Sequence, residues 1–167
     1  MWTGKKENAV LQKISLVTMG VACLAGSASG QWSDDPSVNL LVPGGGSSPA
    51  VTHSASDGNG GCWVSWYDAS SGYDVLLQHL DADGVAQFAE PILVDDQSLS
   101  WVQDFEITVD ALGRAVLAWP GDTKIEAACI NPDGTTAWHN EYGADGAFLG
   151  QAQVAPLPAG WIALAWA

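Results

Sequence analysis

Asp57-Gly58-Asn59-Gly60-Gly61-Cys62-Trp63-Val64-Ser65-Trp66 is a glycine-marked turn that runs into a short apolar strand ending in tryptophan. The phrase returns as Asp110-Ala111-Leu112-Gly113-Arg114-Ala115-Val116-Leu117-Ala118-Trp119 and again as Leu157-Pro158-Ala159-Gly160-Trp161-Ile162-Ala163-Leu164-Ala165-Trp166. Its closing tryptophans stand 53 and 47 residues apart. A period of about 40–50 residues is the signature of a propeller or solenoid. Within the strand, side chains alternate between faces, so Cys62, Val64 and Trp66 share one face and Trp63 and Ser65 the other. In the second copy both faces are apolar, as expected of strands covered on both sides by stacked sheets. The terminal tryptophan is expected to act as a packing wedge between repeats.

A second element recurs beside the first. Tyr73-Asp74-Val75-Leu76-Leu77-Gln78-His79-Leu80-Asp81-Ala82-Asp83-Gly84 matches the segment from Thr123 to Gly134 at an offset of 50 residues, with Phe88 and Trp138 in equivalent strands beyond. Each repeat therefore holds two hairpins, the four-strand content of one propeller blade. The expected fold class is all-β, built of β-propeller-type repeats as antiparallel meanders. Two full blades are expected at residues 49–98 and 102–147, and the first half of a third at 148–167. An open, sandwich-like stack of antiparallel sheets is the alternative. Residues 31–48 supply an N-terminal strand (38–42) and a Gly-rich link. The third copy stops at its tryptophan, so the sequence reads as a partial chain with an uncovered blade face prone to self-association.

Residues 1–30 read as a secretory signal: Lys5, Lys6 and Lys13 give positive charge, 14–24 is a short apolar core, and the small residues 25–30 follow. The core is shorter than a span of about 20 residues, so no membrane span is expected after cleavage. The expected location is secreted, periplasmic or at the cell surface. Removing the signal leaves 18 acidic residues against Arg114 and Lys124, a net charge of −16. Such a surface repels nucleic acid and anionic membranes. Cys62 and Cys129 remain, and an exported protein is able to pair them. Their repeat equivalents, Ala115 and His79, favour two unpaired thiols.

The run from Tyr73-Asp74-Val75 to Asp83-Gly84 resembles secreted bacterial β-propeller repeats, which carry an aromatic-Asp-aliphatic strand leading to an Asp-x-Asp-Gly turn; TolB-type propellers share it. Asp133-Gly134-Thr135-Thr136-Ala137-Trp138 is faintly similar to the Asp-box of sialidase-like propellers. It has Asn131 where that motif has serine or threonine, and Ala137 interrupts the Thr-Trp ending, so sialidase activity is not carried over. The resemblance covers residues 49–167 and implies a fold, not a function.

Asp81 and Asp83 in one turn are the candidate calcium ligands, since calcium takes closely spaced carboxylate and carbonyl oxygens. The residues that follow, Val85 to Phe88, include no carboxylate, and Asp-Gly also makes tight turns on its own account. No other cofactor is implied. His53, His79 and His139 lack metal-ligand spacing, and no nucleophile elbow, phosphate loop or dinucleotide fingerprint is present. The expected function is a non-catalytic exported module binding a protein or glycan. The alternative is a fragment of a propeller enzyme acting on glycans, a hydrolase or lyase.

Overall fold

The computed structural model describes residues 37, 42, 48–102, 104–143 and 150–167. The signal segment and residues 38–41 of the expected N-terminal strand lie outside them. Ten strands form three antiparallel sheets. The first is the meander β1 (Pro49–Ser56), β2 (Cys62–Asp68), β3 (Asp74–Leu80) and β4 (Ile92–Asp95). The second is β5 (Glu106–Val109), β6 (Ala115–Pro120), β7 (Ile125–Ile130) and β8 (Thr136–Tyr142). The third is the hairpin β9 (Ala152–Pro156) and β10 (Ile162–Trp166), with a single 3-10 turn at Pro158–Gly160. The chain is all-β, and its described sheets do not close into a barrel. No helix among the described residues is long and apolar enough to cross a membrane.

One turn design is used five times. The main-chain N–H of Asp57, Asp81, Asp110, Asn131 and Leu157 donates to the carbonyl four residues on, at 2.8–3.1 Å. The fourth residue of each turn is a glycine with positive φ, such as Gly113 at +75°. A three-residue loop ending in a left-handed residue matches the twist of the strands it joins. Glycine takes that conformation without the Cβ clash of other residues. In three of the five turns an aspartate fastens the loop as well. The Oδ1 atoms of Asp57, Asp81 and Asp110 each accept the main-chain N–H two and four residues ahead.

The sheets stack through two apolar layers. Trp63, Tyr67 and Leu77 of the first sheet meet Ile107, Leu117 and Trp119 of the second. On its other face the second sheet sets Val116, Ala118 and Ala127 against Ala152 and Val154. All six residues of β6 are buried, because both of its faces are covered. The two buried tryptophans of the first layer also reach polar partners across it. Trp63 Nε1 donates to the Gly113 carbonyl at 3.2 Å, and Trp119 Nε1 to Asp95 Oδ2 at 2.9 Å. A buried indole needs such a partner, since an unmade hydrogen bond costs about 1–3 kcal/mol.

The fourth strand of the first sheet departs from the sequence pattern. Phe88 was expected in a strand equivalent to that of Trp138, yet β4 begins only at Ile92. The buried amide of Gln78 takes the place of the ladder. Its Nε2 donates to the Phe88 carbonyl at 2.9 Å, and its Oε1 accepts the Phe88 N–H at 3.2 Å. The backbone there is satisfied by a side chain and has no need of a strand.

Candidate functional site

The third sheet has two strands where the second has four. β9 packs over β5 and β6, so the β7–β8 side of the second sheet stays open next to β10. The result is a groove of about 440 Å³. Ala127, Trp138 and Tyr142 form its floor, and Ile162, Leu164 and Trp166 form its wall on the β10 side. Trp161 stands at the mouth, 70 % exposed. Trp166 is 40 % exposed and leans on Tyr142, with ring centroids 6.1 Å apart.

These side chains converge for local reasons. The second sheet continues its alternation, so Ile125, Ala127 and Cys129 of β7 face the third sheet while Ala128 and Ile130 face the first. The β9–β10 register pairs Trp166 with Ala152 and Leu164 with Val154, which puts both wall residues on the face turned to the second sheet. No residue from 150 to 167 carries a charged side chain, and no charged side chain lines the groove. Among the described residues, β10 has a strand on one edge only. Its other edge presents main-chain donors and acceptors beside an aromatic slot. The expectation of an uncovered tryptophan face is thereby sharpened. Trp166 points into the groove, and the uncovered parts are the β7–β8 floor and the β10 edge.

Asp81 and Asp83 sit in the turn after β3. Both Asp81 oxygens are already engaged: Oδ1 by the N–H groups of Asp83 and Val85, Oδ2 by Gln87 Nε2 at 2.9 Å. Asp83 is exposed at the tip. Among the described residues no group of three or more His, Cys, Asp or Glu side chains is placed to hold a metal ion.

Other carboxylates also serve the fold. Burial of Asp110 works against its charge, but the Arg114 guanidinium and the N–H groups of Arg114 and Leu112 outweigh it and hold the carboxyl below its ordinary value. Asp57 follows the same pattern: burial is offset by the N–H groups of Asn59 and Gly61 and by the His79 ring. Burial pushes the Glu126 carboxyl up, and nearby Asp95 adds to the shift. Each histidine meets a carboxylate: His53 with Asp104 at 2.7 Å, His79 with Asp57 at 3.1 Å and His139 with Glu126 at 2.8 Å. His79 is also stacked on Trp63, with centroids 4.3 Å apart. Cys62 and Cys129 are free thiols, and burial pushes both up.

No family model, curated protein or solved structure matches the chain.

Proposed function

We propose that this chain is an exported, non-catalytic binding module of β-propeller type, each four-stranded meander being one blade, and that the groove beside β10 receives an extended strand of a protein. The observation that carries this reading is the unpaired β10 edge lying along a charge-free aromatic slot. An added strand gains main-chain hydrogen bonds from the edge, and its alternate side chains enter the apolar slot. A sugar site needs polar groups converging beside its aromatic rings. Here the only polar side-chain atoms in the lining belong to Trp and Tyr, which favours a peptide over a glycan. The export reading rests on the signal-like residues 1–30.

The test is a titration with a synthetic peptide of alternating Val and Thr, followed by tryptophan fluorescence. Binding is expected to weaken at least ~10-fold in Trp138→Ala, because buried tryptophans dominate such contacts. Leu112→Ala, at an exposed site on a distant turn, is expected to leave it unchanged. Binding of oligosaccharides but not of the peptide would overturn the proposal.

A further inference from the structure

We infer that the strand entering this groove is the β9–β10 hairpin of a second copy of the chain, so that two copies interlock about a two-fold axis running along β10. This rests on the strand-binding reading above and names the partner. It comes from the two faces of the hairpin. Ala152 and Val154 turn inward to the second sheet, so Gln153 and Ala155 turn outward, and the register places Ala163 and Ala165 beside them. All four are exposed, and none is charged. The groove floor is also uncharged but bulky, with Trp138 and Tyr142. A small-residue face and an aromatic floor are complementary in shape, and one chain carries both.

The symmetry that joins them is closed. A rotation of half a turn about an axis along β10, in the plane of the third sheet, sets the partner's hairpin beside β10 and over the open β7–β8 side. The outer face of that hairpin then meets the floor of the first copy, and the first hairpin meets the partner's floor in return. The two hairpins become one four-stranded layer, sandwiched between two second sheets. Such an isologous contact stops at two copies. A pair of five-residue strands covers roughly 17 Å by 10 Å. Two hairpin faces, two floors and the joined edges then bury on the order of 1,000 Å², the lower limit for a specific interface.

Charge supplies a signature. Each copy carries −14, yet residues 150–167 contribute no charged side chain. The two copies therefore repel at long range and attract only at contact. Salt screens the repulsion, with a Debye length of about 10 Å at 0.1 M and about 3 Å at 1 M. The apolar contact is untouched by screening, so the dimer tightens as salt rises.

Sedimentation velocity on the exported protein, across a concentration series at low and high sodium chloride, tests this. A monomer–dimer equilibrium is expected with a dissociation constant on the order of 10 µM, as a small interface supports. It is expected to tighten about 10-fold when screening is complete. Ala163→Glu places a charge on the exposed outer face of the hairpin without touching the core, and is expected to give a monomer with an unchanged melt. Leu112→Glu, on a distant turn, is expected to dimerise normally. A wild-type monomer at every concentration that still binds the Val-Thr peptide would overturn the second-copy inference and leave the strand-binding reading standing. A monomer that binds no peptide would overturn both. Open-ended oligomers, or a dimer that survives Ala163→Glu, would overturn the interlocked geometry.

Discussion

Trp119 and Trp166 close two copies of one sequence phrase, yet the structure assigns them different energies, and trimming each to phenylalanine measures the difference. Trp119 is fully buried, and its indole N–H donates to Asp95 Oδ2, which also accepts Gln97 Nε2 at 3.0 Å. Trp119→Phe removes one hydrogen bond to a charged acceptor, worth about 1.5–3 kcal/mol. It also leaves a void of roughly 40 Å³, which adds about 1 kcal/mol at ~24 cal/mol per Å³. The expected loss is thus about 3 kcal/mol. For a chain of this size, at about 2–4 °C per kcal/mol, that lowers the melting temperature by roughly 9 °C. Trp166 lies 40 % exposed at the groove, so Trp166→Phe is expected to cost no more than about 0.5 kcal/mol, or under ~2 °C. Thermal melts by circular dichroism at low protein concentration give both values. Equal shifts would mean that the third copy of the phrase packs as tightly as the second. The open groove would then be wrong.

Acid unfolding reports on the turn aspartates. A carboxyl held below its ordinary value of 3.8 stabilises the fold fully above that value, and the contribution is lost as pH falls through its lower folded value. Asp110→Asn is therefore expected to be less stable than wild type at neutral pH and to lose less on acidification, so urea midpoints of the two proteins converge toward pH ~2; parallel curves would refute this. Gly113→Ala meets no atom within 4 Å, so its cost is the left-handed backbone alone, about 1–2 kcal/mol. Gly134→Ala adds a Cβ 2.9 Å from Phe88 Cε1 and is expected to lose clearly more in the same urea assay. Chelation by EDTA is expected to leave the melt unchanged, because Asp81 is already bonded by its own turn, whereas Asp81→Ala is expected to lower it; a chelator-induced drop would restore a calcium role for Asp81 and Asp83.

The all-β architecture was legible in local signals. Glycine four positions into each turn, alternation along β2 and β9, and the doubly apolar β6 are written in neighbouring residues, and each is decided within a hairpin. The departure at Phe88 was not legible. Whether the amide of Gln78 points to solvent or to the backbone of a later strand depends on tertiary packing, and no local pattern encodes it. The groove was legible only in part. The third phrase showed a hairpin with nothing written after it, which predicts an open face. It did not show which face. That depended on β9 settling over β5 and β6, a choice made by shape between sheets. The tryptophans misled in the same way, since identical sequence context gave one fully buried ring and one that is 40 % exposed.

The charge distribution gives the groove its physical sense. Exposed tryptophan and a bare strand edge are aggregation hazards in a neutral protein. Here they sit on a chain whose acidic residues all precede the third sheet. At low ionic strength the net charge keeps copies apart before their apolar faces meet. At contact distance nothing charged stands between a strand and the floor of Ala127, Trp138 and Tyr142, so no ion has to be desolvated when the groove fills. Solubility and stickiness are thereby placed on different parts of the chain. A single glutamate on the outer face of the hairpin abolishes that separation, because it carries the repulsion into the contact itself. The same charge added to the Leu112 turn only joins the existing field.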